Sequence, residues 1–144
     1  LLFAFAVVAM PGLKSLRDPE FVRAFQAMDG VIQRGQPLFM FVWIGSVLVL
    51  VGTAVAGLWQ LEGAERTLLL AAAAVYVLGV QVPTARINIP LNNRIQKLDT
   101  EQASESEIAD ERRHFEPRWN RWNGIRATLA IVTTALLLIL LLSI

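Results

Sequence analysis

Charge-free stretches cut the chain into segments of bilayer length. Pro37–Trp59 runs 23 residues without a charged side chain, with proline at one end and tryptophan at the other. Thr67–Ala85 is apolar apart from Tyr76, Gln81 and a threonine at each end, and Asn123–Ile144 carries only Arg126, near its start. About 20 such residues cross the ~30 Å hydrocarbon core as a helix, which satisfies its own backbone there. The apolar run Leu1–Met10, ended by Pro11, covers about half that thickness. It lacks the charged start and small-residue cleavage site of a signal peptide, and is read as the cytoplasmic half of a first span. The expected architecture is all-α: an integral membrane four-helix bundle forming a single transmembrane domain over 1–144. Its spans lie at about 1–10 (incomplete), 37–59, 67–85 extending to about 98, and 119–144.

The connections carry helical patterns of their own. Asp18-Pro19-Glu20 reads as N-cap, N1 and N2 of a helix with an acidic first turn. Phe21, Phe25, Met28 and Ile32 follow at helical spacing, which predicts an amphipathic helix against the bundle or in the interface. Pro83 and Pro90 predict kinks in an extended third span. Asp99–Glu107 is a polar link, Ser104-x-x-Glu107 resembles a capping box for a helix toward His114, and Pro117 is expected to break or restart that helix.

Basic residues fix the orientation. Twelve of the 13 Lys and Arg fall in the two connections on one side, and only Arg66 falls on the other. The positive-inside rule places the basic loops in the cytoplasm and both termini outside.

Composition agrees and excludes several chemistries. Hydrophobic residues make up 55% of the chain and charged ones 17%, with a mean hydropathy of +0.51, values that suit a lipid environment. A net charge of +1 gives no footprint for nucleic acid, and none is expected as a partner. The absence of cysteine removes thiolate sites and thiol nucleophiles. Glu111-x-x-His114 has the Glu-x-x-His spacing of di-iron carboxylate bundles, which need that motif twice. The chain has one histidine and no carboxylate in spans two to four, so no metal is expected. His114 is left as a solvated histidine or a general base.

Polar residues concentrate at the basic end. Gln81, Asn88 and Asn92 fall on one stripe of span three, with Arg86 and Asn93 on the neighbouring face. Trp119, Trp122, Asn123 and Arg126 share a face at the start of span four. Amides and a guanidinium entering a bundle are costly unless they meet one another, so the two stripes are expected to face each other. Interhelical glue with a tryptophan belt is the competing account. In span two, Gly45, Gly52 and Ala56, beside Ser46 and Thr53, suggest close helix packing, including contact with a second copy.

Asn88-Ile89-Pro90-Leu91-Asn92 followed by Trp119-Asn120-Arg121-Trp122-Asn123-Gly124-Ile125-Arg126 resembles the paired signature of the anthrone oxygenase-like membrane family. That four-helix group includes fungal enzymes that oxidise polyketide anthrones to anthraquinones. Phe21–Phe41, with Pro11 before it and Gln26 and Pro37 within it, is similar to the family's first loop, although Asp29 stands where an asparagine is expected. The resemblance implies an oxygenase, an anthrone-type monooxygenase, acting on a hydrophobic aromatic (anthrone- or quinone-like) molecule in a cytoplasmic-side pocket, with no cofactor. It implies that Asn88, Asn92, Trp119, Trp122 and Asn123 hold the substrate, that Arg126 stabilises its enolate, and that His114 or Asp29 removes the proton. The alternatives are a non-enzymatic small-molecule or lipid-binding membrane protein and a structural or accessory subunit.

Overall fold

The computed structural model describes residues 1–143, and these fold into helices without a strand. In chain order the helices are α1 (Leu2–Lys14), α2 (Asp18–Gln33), α3 (Pro37–Gln60), α4 (Gly63–Gln96) and α5 (Glu105–Ser143). Three of them, α3, α4 and α5, are long and apolar enough to cross a membrane, and α1 is a shorter apolar helix. Their outer faces carry residues such as Leu48, Val49 and Leu142, the last 88% exposed. Such faces suit acyl chains, and the protein has the character of an integral membrane protein.

The prolines behave differently from expectation at two places. Helix α1 does not stop at Pro11 but continues to Lys14. Helix α5 does not break at Pro117, which lies inside one 39-residue helix. Proline removes one N–H and crowds the carbonyl of the preceding turn, at about 3 kcal/mol in a helix interior. In α1 and α4 the backbone answers by widening to π-type turns at Phe5–Ala9, Val77–Gln81 and Thr84–Asn88. Each widened turn ends two residues before a proline, at Pro11, Pro83 and Pro90. The bond that proline cannot donate is bypassed, and each insertion rotates the side chains that follow. Pro117 and Arg113, whose carbonyl loses its partner, are both exposed, while Phe115 and Trp119 on either side of the proline are buried and hold the helix.

The core sits at the basic end. Phe21, Val22 and Phe25 of α2 pack against Leu91 and Ile95 of α4, Ile108, Phe115 and Trp119 of α5, and Met10 and Leu13 of α1. Phe25 meets Phe115 edge-on with ring centroids 4.6 Å apart, and Trp119 lies 5.5 Å from Phe25 and 5.7 Å from Phe5. The start of α2 is shifted by one residue from expectation: Arg17 is the N-cap, and the Glu20 carboxylate accepts the Arg17 amide at 3.3 Å. Ser104 and Glu107 form both arms of a capping box at the start of α5, at 2.8 and 3.3 Å.

Two polar ties that the sequence did not reveal fasten α2 in place. Gln26 Nε2 donates at 2.8 Å to the carbonyls of both Ile95 and Leu98, satisfying the C-terminal end of α4. Arg112 donates to the carbonyls of Leu16 and Lys14 and to Asp18 and Glu116, with its guanidinium 4.3 Å from the Phe21 ring. The small residues of α3 pack differently from expectation. A Cβ on Gly45 or Gly52 would meet nothing within 4 Å, whereas one on Gly57 would run into the Leu69 side chain. The close approach within the chain is made at Gly57, because α3 meets α4 through its buried Leu50, Ala54 and Gly57.

Candidate functional site

A cavity of about 690 Å³ lies among the helices, with its two charged side chains toward the basic end. Asp29 of α2, Asn88 and Asn92 of α4, and Trp119, Asn123 and Arg126 of α5 all line it. Farther from that end the walls become apolar, with Val80, Ala127, Ile131 and Leu138. A volume of this size holds a drug-sized molecule, and an apolar pocket with a few convergent polar groups is the usual form of such a site.

Asp29 is 3% exposed, and its carboxylate is held by three side-chain amides. Asn92 Nδ2 donates to Oδ1 at 2.7 Å, while Gln33 and Gln96 donate to Oδ2 at 2.7 and 2.9 Å. A carboxylate has about four acceptor positions, so one remains, on Oδ1. Asn92 is in turn fixed from the other side by Trp119 Nε1, which donates to its Oδ1 at 2.7 Å. Both halves of the Asn92 amide are therefore engaged within the protein.

Arg126, 4% exposed, donates to Thr84 Oγ1 at 2.8 Å and to Asn123 Oδ1 at 3.1 Å, and its Nε has no partner. Asn123 spends its own Nδ2 on the Leu2 carbonyl at 3.1 Å. Asn88, 2% exposed, has no partner for either its amide nitrogen or its oxygen. Leaving such groups unpaired costs about 1–3 kcal/mol each. Among the described residues, neither Asp29 nor Arg126 makes an ion pair. The cavity thus holds one carboxyl group and one guanidinium, each buried and neither in an ion pair.

Two residues singled out in the sequence are not part of this arrangement. Trp122 is half-buried and does not line the cavity. At about 100° per residue it lies a quarter turn or more from Asn123, so of the two α5 tryptophans only Trp119 borders the cavity. His114 is exposed and off the cavity, five residues before Trp119 and so roughly 140° round the helix from it. The second aromatic wall comes instead from α3, where Trp43 Nε1 donates to Gln81 Oε1 at 3.1 Å. Thr84, Trp43, Gln33 and Gln96 were not anticipated. Only Gln33 left a local signal, at four residues from Asp29.

The family model for anthrone oxygenase matches residues 29–136, three quarters of the chain and all of the cavity's polar residues. The chain belongs to the anthrone oxygenase family. The family match opens on Asp29 itself. No curated protein and no solved structure matches the chain.

Beside the site of this family member, Arg94 joins α4 to α5 by a two-pronged bond to Glu111, Nε to Oε2 at 2.7 Å and Nη2 to Oε1 at 2.5 Å. The hydrogen bonds from Arg94 hold the Glu111 carboxyl below its usual range. A depressed carboxyl pKa contributes stability that is present at neutral pH and lost as pH falls through and below the ordinary carboxylate range. Arg94 is half exposed, so solvent screening keeps the contribution small. Thermal midpoints of wild type and Glu111→Gln in micelles are expected to differ at pH 7 and to converge at pH 3.

Proposed function

We propose that this protein is a membrane-embedded monooxygenase that turns a hydrophobic aromatic ketone of the anthrone type into the corresponding quinone, without a bound cofactor. The observation that carries the reading is the pair of buried, unpaired charges in one cavity, Asp29 and Arg126. An anthrone methylene is acidified by its flanking aromatic ketone. The free position on Asp29 Oδ1 takes the proton, and the electron pair delocalises onto the ketone oxygen, where Arg126 stabilises the charge. The carbanion adds dioxygen, and the resulting hydroperoxide loses water to leave the second carbonyl, so one oxygen atom enters the product and one leaves as water. Asn88 hydrogen-bonds the ketone or a neighbouring phenol, and Trp119 borders the flat rings. Asn92 acts by holding Asp29 and Trp119 in register.

The unfilled amide of Asn88 also argues against a purely structural role, since a lock between helices is stable only when its polar groups satisfy one another. In this reading α1 and the three long helices form a four-helix bundle, and α2 is its amphipathic cytoplasmic helix. The basic loops and the polar end of the cavity face the cytoplasm, with both termini outside. Soluble enzymes would then deliver the ketone from the cytoplasmic side, while its apolar body rests in the bundle.

Oxygen uptake with anthrone as substrate tests the proposal in reconstituted protein. Arg126→Ala is expected to lower the rate about 100- to 1,000-fold, the cost of removing an oxyanion donor. Asn92→Ala is expected to lower it about tenfold or more through misplacement of the base. Unchanged uptake in folded variants would sink the reading, and anthrone binding without uptake would leave a small-molecule-binding protein.

A further inference from the structure

We propose that the outer surface of the bundle, at its basic end, binds the headgroup of an anionic phospholipid through Arg86 of α4 and Arg118, Arg121 and Trp122 of α5. The site is separate from the cavity and independent of what the cavity does. The observation that points to it is how the arginines divide. Arg17, Arg94, Arg112 and Arg113 each bond a carboxylate of the chain. Arg86, Arg118 and Arg121 are exposed, and among the described residues none of them makes an ion pair.

The division follows position along the helices. Arg86 is the first charge after the apolar run of α4. Arg121 is the last outward-facing charge of α5, because Arg126 beyond it is buried and bonded to Thr84. The bonds from Arg126 to Thr84 and from Trp119 to Asn92 fix the two helices in register. Arg86 lies between the α4 ends of those bonds and Arg121 between their α5 ends, so both fall within the same roughly 12 Å of helix. Arg118 lies one residue outside. Helix α4 has no Asp or Glu after Glu65, α5 has none after Glu116, and Glu116 is taken by Arg112. Asp29 is buried and held by three amides.

The three guanidinium groups therefore stand where the hydrocarbon ends, with no carboxylate of the chain free to meet them. Lipid phosphates are the anions of that layer, and juxtamembrane basic residues are drawn to them. An arginine fork fits a pair of phosphate oxygens with two parallel N–H bonds. Trp122 suits the same partner. It is half-buried, off the cavity, next to Arg121 and one turn from Arg118. Leu129, seven residues on and on the same face, packs against Gly79 of α4. The indole thus sits by the seam between α4 and α5 at headgroup depth, where tryptophan is favoured. A headgroup with net negative charge fits this surface better than a zwitterionic one, whose own ammonium offsets its phosphate.

The test is tryptophan quenching in mixed vesicles of phosphatidylglycerol and phosphatidylcholine, with one lipid or the other carrying brominated acyl chains. The parent protein carries Trp59→Phe, which silences the opposite end. Phosphatidylglycerol is expected to be preferred at least about tenfold, since each basic residue near an anionic surface contributes about fivefold. Arg118→Gln combined with Arg121→Gln is expected to lower the preference about tenfold or more, and Arg86→Gln about fivefold. Arg17→Gln combined with Arg113→Gln removes the same charge from paired positions and is expected to leave the preference within about twofold, because distant charges are screened. Trp122→Phe is expected to abolish the difference in quenching between the two lipids. Inorganic phosphate is expected to displace nothing. Thermal midpoints check folding, and Arg86→Gln, on the other helix, carries the test if the double variant of α5 does not fold. Equal quenching by both lipids in the parent protein, an unchanged preference in the Arg86, Arg118 and Arg121 variants, or an equal loss in the Arg17 and Arg113 variant overturns the proposal. So does a lipid difference that survives Trp122→Phe, or displacement by inorganic phosphate, which would mark a site for a free anion.

Discussion

Replacing Asp29 with asparagine is expected to lower anthrone-dependent oxygen uptake by about 100- to 10,000-fold, the range of a lost general base. The change is small in volume, but its consequences run through a chain of hydrogen bonds. The carboxylate accepts from Gln33 and Gln96 on one oxygen and from Asn92 on the other. An asparagine has a single oxygen. If that oxygen stays with the two glutamines, its NH₂ group faces the NH₂ of Asn92, donor against donor. Turning the Asn92 amide over relieves that clash and creates another, because Asn92 Nδ2 then faces the indole N–H of Trp119. In both of these arrangements one donor is left unpaired, at about 1–3 kcal/mol. Uptake and the thermal midpoint measured on the same preparation check both parts, and a folded Asp29→Asn variant with wild-type uptake would remove Asp29 from the mechanism.

The largest effect on stability is expected at Trp119. Its ring is 5% exposed and packs against Phe5, Phe25 and Phe115, while its Nε1 supplies the bond that orients Asn92. Trp119→Ala removes the ring from the centre of the core and is expected to cost about 3–5 kcal/mol. Trp119→Phe keeps most of the apolar contact and leaves Asn92 Oδ1 without its donor, at about 1–3 kcal/mol. Urea titrations of secondary structure in mild detergent separate the two. The difference between the variants measures packing, and the deficit of the phenylalanine variant measures the hydrogen bond. Equal stabilities would show that Trp119 acts only through its N–H.

The fold was legible where a single periodicity governs. The charge-free runs of α3 and α4, and the later part of α5, gave three membrane-capable helices, and Ser104 and Glu107 marked the start of α5 correctly. Proline was the weak signal. In isolation Pro11 and Pro117 read as ends of helices, but a π turn absorbs one and buried aromatic neighbours override the other. The meeting of Asn92 on α4 with Trp119 on α5 followed from the cost of burying amides. That Asp29 would enter the same cavity could not be read from spacing, since it depends on α2 folding back onto α4 and α5. The ties responsible, Gln26 to the end of α4 and Arg112 to the start of α2, join residues 69 and 94 apart in sequence. Trp122 was misplaced because three-residue spacing sets it at the margin of a stripe whose centre follows Asn123, Ala127, Ala130 and Thr134.

The resemblance and the physical reading converge on different parts of the same site. The family signature covers Asn88, Asn92 and the stretch from Trp119 to Arg126, and the match extends to Asp29. Burial and hydrogen bonding then sort those residues by what they are free to do. Asn92 and Asn123 are committed within the protein, whereas Asn88 and one nitrogen of Arg126 are not. That division marks the groups left to receive a ligand.

The central claim, that the cavity binds a flat ketone and stabilises it as an enolate between Asp29 and Arg126, is tested most directly by the absorption spectrum of anthrone bound to the protein under nitrogen. The account predicts an enolate band at neutral pH with wild type that is lost in Arg126→Leu. A spectrum unchanged from that of the neutral ketone in protein-free membranes, or the same enolate band in Arg126→Leu, would contradict it.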